Sequence, residues 1–208
     1  MILESRLAAV MGGKMAIGGL RAGVEPFIEQ LAAPTATPGG GSASAAVAAM
    51  AAALGTMVAT MSRSKKAYIQ YEQQLSEAIA RLSQLREELK SRIDADAESY
   101  NQVMAAYKLA KTSSDGDGII DAALKGATQV PFEIAQRASE VGELLKSLQP
   151  ITSSNMASDL TVGGEMAEAA KKGALANVDI NLASIKDASF VAEMRSKVGE
   201  MGRVHALQ

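Results

Sequence analysis

The pattern of apolar and polar positions is dominated by a stretch without any charge. From Ala43 to Met61 every residue is apolar or small, and no proline interrupts the run. Val47, Met50, Leu54, Met57, Val58 and Met61 recur at helical spacing as a bulky stripe, while Ala45, Ala49, Ala52, Thr56 and Ala59 form a small-residue stripe elsewhere on the surface. Ahead of it stands Pro38-Gly39-Gly40-Gly41-Ser42. Consecutive glycines mark a loop that bends sharply or approaches something closely, and Ser42 reads as a helix cap. The pattern predicts a helix of about five turns, buried on every side because it is apolar all round. Its small stripe admits the close approach of another backbone, including a second copy of the chain.

The other elements follow from the same periodicity. Val24 to Leu31 reads as a short helix with Pro26 at its start, stopped by Pro34. From Tyr68 to Lys111 neither glycine nor proline occurs. Leu75, Ile79, Leu82, Leu85, Leu89, Ile93, Tyr100, Val103 and Tyr107 mark one very long amphipathic helix or two collinear ones. Thr112 to Gly118 is a polar loop whose Asp115-Gly116-Asp117-Gly118 lacks the remaining ligand positions of a calcium loop. Ile119 to Leu148 carries Ile134, Val141, Leu144, Leu145 and Leu148 on one side, with Pro131 either kinking it or dividing it in two. After Pro150 and a polar loop, Ser158 to Asn181 shows Gly163, Met166, Ala170, Gly173, Asn177 and Asn181 on one face. Ser184-Ile185-Lys186-Asp187 supplies a loop and an N-cap for a last helix bearing Phe190, Val191, Met194, Val198 and Met201.

These elements predict an all-α bundle of long antiparallel helices around a buried alanine-rich helix, in a single domain over residues 24–208. Residues 1–23, apolar but broken by five glycines, form an extension that does not fit a signal peptide. Ala43–Met61 is just long enough to span a bilayer, but alanine drives insertion weakly, so a buried helix is the reading preferred. Composition changes this picture little. The absence of cysteine excludes disulfides, thiol catalysis and thiolate metal sites, and fits a cytoplasmic protein. A net charge of −2 without a basic block points away from nucleic acid and anionic membranes. The single histidine, His205, stands near the C-terminus, and no helical Glu-x-x-His pattern occurs, so neither imidazole catalysis nor a metal or other cofactor is expected.

Asp96 is the residue most suggestive of chemistry. It lies three positions after Ile93, seven after Leu89 and four before Tyr100, on the apolar stripe of the long helix, whereas Asp94 and Glu98 point to the wet side. A carboxylate facing a core is costly unless paired, and burial raises its pKa toward values useful for proton transfer. It is equally compatible with a structural carboxylate held by a lysine or a helix end. Lys65 and Lys66, beside Tyr68, form either a solvated corner or, with the glycine loop Gly39–Ser42, a place for an anion. Asp159 reads by default as a helix cap.

Taken in order, Ala33-Pro34-Thr35-Ala36-Thr37-Pro38-Gly39-Gly40-Gly41-Ser42, Lys65-Lys66-Ala67-Tyr68, Asp94-Ala95-Asp96-Ala97-Glu98, Val130-Pro131, Asn155 with Ser158-Asp159, and Ala176-Asn177-Val178-Asp179-Ile180-Asn181-Leu182 resemble the cyclodeaminase/cyclohydrolase domain of the formiminotransferase-cyclodeaminase family. The resemblance covers roughly Val24 to Met201 and rests on the ordered set.

What the resemblance implies is an all-α homodimer acting on tetrahydrofolate one-carbon derivatives, with or without a polyglutamate tail. One branch closes 5-formiminotetrahydrofolate to 5,10-methenyltetrahydrofolate with release of ammonia, a step of histidine degradation. Another interconverts 5,10-methenyl- and 10-formyltetrahydrofolate. The family's acidic motif falls on Asp94 to Glu98, and the stripe selects Asp96 as acid/base. Gly39, Gly40, Gly41, Ser42, Lys65, Lys66 and Tyr68 become candidates for the glutamate carboxylates or pterin, and Asp159, Asn177 and Asn181 for polar pterin contacts. The sequence departs from the family's usual residues at Ser64, Ala67, Ala110 and Ser153. No transferase domain is recognised, so a separate formiminotransferase is expected to supply the substrate. The reading of another class is a non-catalytic folate-binding or helical dimer protein that keeps the scaffold.

Overall fold

The computed structural model describes residues 19–206, which are helical throughout apart from short connections and contain no strand. They fall into two units, one ending at Thr37 and one running from Pro38. In the first, α1 (Gly19–Ala32) carries Pro26 in its interior, seven residues beyond the helix start rather than at it, and buries none of its side chains. Residues 1–18, most of the expected N-terminal extension, and the side chain of His205 lie outside the described residues.

The second unit is built from α2 (Gly40–Arg63), α3 (Glu72–Ala110), α4 (Gly116–Leu148), α5 (Ala157–Leu182) and α6 (Ala188–Ala206). Helices α2 to α5 form an up-and-down four-helix arrangement in which each packs on its sequence neighbours and α5 returns to α2. The directions follow from individual contacts. Arg63 bonds Ser76 at one end of the α2–α3 pair and Ser42 bonds Ile93 at the other. Between α4 and α5, Leu145 lies against Gly163, and Asn181 Nδ2 donates to Ala127 O. Pro131 sits inside one continuous α4.

The α3 seam is regular. Leu75, Ala78, Leu82, Leu85 and Leu89 are buried at alternating steps of three and four, the spacing of a helix packed along a shallow left-handed seam. Continuing the same steps reaches Arg92, Asp96 and Ser99 before apolar burial resumes at Val103 and Ala106. The three polar positions separate a large core, centred on Leu82, Leu85, Ile134 and Leu145, from a smaller one of Val103, Leu124, Phe132, Val178, Leu182 and Met194. Tyr100 and Tyr107, expected on the apolar stripe, are exposed at 41% and 39%, because the steps of three and four place Val103 and Ala106 inward instead. Along the flank, Arg81 with Glu140, Arg137 with Glu88 (2.7 Å) and Arg92 with Glu133 (2.6 Å) tie α3 to α4.

Helix α2 presents small residues inward. Ala45, Ala48, Ala51, Ala52, Val58 and Ala59 are fully or nearly fully buried. Gly55 lies under Leu82 and Leu145, and α5 brings Gly163 to the Ala51 carbonyl and Gly173 to the Ser44 hydroxyl. Large side chains would hold these helices apart. Of the bulky stripe only the methionines face the other way, Met50, Met57 and Met61 being 42%, 39% and 49% exposed, while Val47 and Leu54 are partly buried and Val58 is fully buried. The expectation of a helix covered on every side is therefore corrected for the single chain, because small rather than large residues permit the close packing inside. Helix α2 is also the one described helix long and apolar enough to cross a membrane, and 56% of that window is buried by its neighbours.

Candidate functional site

The polar break in the α3 seam lies level with the start of α2. Gly39, in an extended conformation, precedes the first turn of that helix. Ser42 is thus inside the helix rather than its cap, and its hydroxyl is turned to α3. The Ser42 amide donates to Asp96 Oδ2 at 2.8 Å, while Ser42 Oγ lies 2.9 Å from both Asp96 Oδ2 and the Ile93 carbonyl. A hydroxyl has one proton to give, so those two acceptors share it. The carboxyl group approaches so closely that a Cβ built on Gly41 would fall 2.5 Å from Asp96 Cγ and 2.8 Å from Oδ2, and closer still to Oδ1. Only glycine leaves that space open.

Burial pushes the Asp96 carboxyl above the usual carboxylate range, and the Ser42 hydroxyl and amide oppose the shift without cancelling it. The α2 N-terminus also favours the ionised form. No neighbouring charge contributes: Asp94 and Glu98 are exposed, Arg92 is paired with Glu133, and α2 carries no charge before Arg63. Both protonation states are thereby brought closer in free energy, as a group that takes and returns a proton requires. Oδ2 is anchored by Ser42, and among the described residues Oδ1 has no hydrogen-bond partner.

From α5, Asn177 reaches the same place. A Cβ on Gly40 would lie 3.4 Å from Asn177 Nδ2, which donates to the Gly173 carbonyl of its own helix at 2.8 Å. Asn181, one turn on, is committed to the Ala127 carbonyl at 3.0 Å and joins α5 to α4 instead. The first cluster is therefore Gly39, Gly40, Gly41, Ser42, Asp96 and Asn177.

Lys65, Lys66, Tyr68 and Asp159 form no part of it. Asp159 stands one turn before Gly163, which meets Ala51 midway along α2, and Lys65, Lys66 and Tyr68 lie beyond the other end of that helix, about 36 Å away at 1.5 Å per residue. There Lys65 Nζ donates to Ser153 Oγ at 3.2 Å, and the Ser153 amide donates to buried Ser62 Oγ at 3.1 Å. Lys66 is exposed, and Tyr68 packs on the main core. Asp159 stands in the first turn of α5 without making a capping bond, so it is not the cap that its position suggests. A cavity of about 250 Å³ opens beside this corner between Gln149, Ser153, Ser154, Ala157, Leu160 and Thr161. Helical spacing from Asp96 alone does not reveal Arg92 and Ser99 as its seam companions; the alternation of three and four from Leu75 does.

The chain as a whole has counterparts among known proteins. Residues 23–200 match the sequence pattern of the family described as formiminotransferase-cyclodeaminase. The formimidoyltransferase-cyclodeaminase of Gallus gallus is 35% identical over 176 residues, 83% of this chain and 32% of that protein, so the chain spans about a third of that relative. The methenyltetrahydrofolate cyclohydrolase of Methylorubrum extorquens is 34% identical over 174 residues, 82% of this chain and 84% of that one. The crystal structure of formiminotetrahydrofolate cyclodeaminase from Thermotoga maritima superposes with a TM-score of 0.80 at 30% identity, covering 86% of this chain and 88% of the other. With the ordered motifs, the helical bundle and the matched span in agreement, the chain belongs to the formiminotransferase-cyclodeaminase family.

Proposed function

We propose that this folate one-carbon enzyme closes 5-formiminotetrahydrofolate to 5,10-methenyltetrahydrofolate with release of ammonia, using Asp96 as its acid/base. The observation that carries the reading is the half-buried Asp96 carboxyl, raised by burial and held by one oxygen at the start of α2. N10 attacks the formimino carbon as the imino nitrogen takes a proton from solvent and becomes an amino group, and the N10 proton passes to the carboxylate. The same carboxyl then protonates the amino group, whose bond to carbon breaks to give ammonia and leaves the methenyl bridge. One group serves both transfers. The reactant is neutral and the product cationic, so one proton is taken up overall. Gly39, Gly40 and Asn177 border the reacting end of the folate.

The placement of Lys65 and Lys66 supports a homodimer. The midpoint along α2 between Met50 and Met57 coincides with that between Ser42 and Lys65. An antiparallel pairing of two α2 helices through their exposed methionines therefore sets the lysine corner of one protomer beside Asp96 of its partner. In that arrangement Lys65 and Lys66 receive the glutamate carboxylates of the folate, polyglutamylated forms included. Neither Asn181, held by Ala127, nor Asp159 is needed by this arrangement. The substrate comes from a formiminotransferase, the enzyme works without a cofactor, and the cysteine-free composition suits the cytoplasm.

A second reading, methenyltetrahydrofolate cyclohydrolase, is favoured by the near-complete overlap with the Methylorubrum extorquens protein. There the same carboxyl takes a proton from water attacking the methenyl carbon and returns it to N5 as the carbon–N5 bond breaks, leaving 10-formyltetrahydrofolate, with the second water proton released to solvent. Purified protein given each folate separately decides between them. Ammonia and the methenyl chromophore from the formimino compound support the first, and loss of the chromophore from the methenyl compound supports the second. Turnover of neither overturns both and leaves a non-catalytic folate-binding protein.

A further inference from the structure

We infer that Ser42 is a positioning residue for Asp96 rather than a substrate contact: its amide and hydroxyl hold Oδ2, so that Oδ1 is the oxygen from which the proton moves. The inference rests on the proposed role of Asp96 as the acid/base.

Ser42 is fully buried, and both its polar donors are turned to α3. Such a side chain has no surface to offer a folate. The two donors converge on one oxygen, at 2.8 Å and 2.9 Å, and fix the carboxyl plane relative to the helix start. The Ile93 carbonyl, 2.9 Å from the same hydroxyl, keeps Oγ in place whichever acceptor takes its proton. Oδ1 projects over Gly41, where the missing side chain leaves room. A proton on Oδ2 would oppose the Ser42 amide, which points at that atom in every arrangement, and the hydroxyl as well whenever its proton is turned from Ile93 O to Oδ2, whereas a proton on Oδ1 meets neither, so the hydrogen-bonding pattern directs protonation to Oδ1. Charged groups do not compete for control. Arg92 on α3 is engaged by Glu133 of α4, Asp94 and Glu98 on α3 and Asp179 on α5 are exposed, buried Lys171 of α5 is paired with Glu168, and the one charge on α2 is Arg63 at its far end. Positioning of this kind acts on the reacting geometry, so its loss appears in kcat before it appears in KM.

The test compares Ser42→Ala, which keeps the amide and removes the hydroxyl, with the unaltered protein and with Ser42→Gly. Steady-state kinetics across pH are paired with titration of the Asp96 carboxyl carbon by NMR in the absence of substrate. The expected result is a kcat lower by roughly 10- to 100-fold at nearly unchanged KM. The carboxyl titration moves further upward, since a bond to the ionised form has been removed, and the pH profile of kcat/KM moves with it. A raised KM at unchanged kcat would show Ser42 to be a substrate contact and overturn the inference. So would a loss of activity with an unmoved carboxyl titration. Ser42→Gly gives the same outcomes with more helix freedom, so a folding defect specific to alanine does not decide the result. If the unaltered protein turns over neither folate while the NMR titration still responds to Ser42→Ala, the proposed function fails and the structural coupling of Ser42 to Asp96 remains.

Discussion

Gly41 and Asp96 occupy the same small volume: a methyl group on the glycine would overlap the carboxyl oxygens of the aspartate. Gly41→Ala therefore forces the carboxyl to rotate or α3 to retreat. Turnover is expected to fall about 100-fold, the scale of an ångström-sized misplacement. Stability should drop by about 1–3 kcal/mol through overpacking. Kinetics beside denaturant unfolding measure both. Full activity in a protein of unaltered stability would show that the aspartate tolerates displacement and has no fixed geometric role.

Asp96→Asn is expected to abolish turnover while preserving the fold, because the amide oxygen can accept both Ser42 bonds. The folded chain holds its Asp96 proton to higher pH than the unfolded chain does. Between the ordinary carboxylate range and that higher value the folded state binds more protons, so stability falls as pH rises through the window. Asp96→Asn lacks this penalty. Its melting temperature should equal or exceed that of the unaltered protein at neutral pH, with the difference closing below about pH 4. Thermal melts at the two pH values check the sign.

The exposed methionines and the separation of Lys65 from Asp96 bear on assembly. With the proposed pairing of two α2 helices, Met57→Glu should yield a folded monomer in sedimentation and lose activity along with the pairing. A chain carrying Lys65→Ala and Lys66→Ala should complement one carrying Asp96→Asn, since a mixed dimer contains one site with both groups intact. Mixtures no more active than either variant alone would place the lysines outside the reaction.

At Asp187, the carboxyl is held far below the usual carboxylate range by the bond from Lys125, with Ser189 and the Phe190 amide adding to it. This contribution is present above the ordinary carboxylate pKa and is lost as pH falls toward the lower folded value. Solvent screens so exposed a pair. The expected effect of Asp187→Ala is local fraying of α6, seen as faster amide exchange at Phe190 and Val191, with activity unchanged.

Much of the bundle was legible because long helices leave long periodic records. The α3 and α4 stripes, the continuous run before Lys111 and a helix cap within Ser184 to Asp187 are all local patterns of spacing or side-chain chemistry. The inward turn of Asp96 was readable for the same reason. What periodicity misses is direction between helices. Tyr100 and Tyr107 fit a helical stripe counted from Leu89, yet the packed seam advances in steps of three and four and turns them outward. Ser42 looks like a cap by residue type, but Gly39 precedes the helix and the hydroxyl finds a long-range partner. Nor does closeness along the chain show that Lys65 and Gly41 stand at opposite ends of one rod. The small residues of α2 were visible as a stripe, but only the neighbouring helices reveal that they, rather than the methionines, form its buried face.

Because burial rather than an opposing or like charge raises the Asp96 carboxyl, ionic strength has almost nothing to shield. The acidity of that group instead follows how completely water is kept from it. A bound ring lying over the start of α2 would dry the carboxyl further, so in the proposed reaction reactant and product, which differ by a positive charge, would each impose a different proton affinity on Asp96.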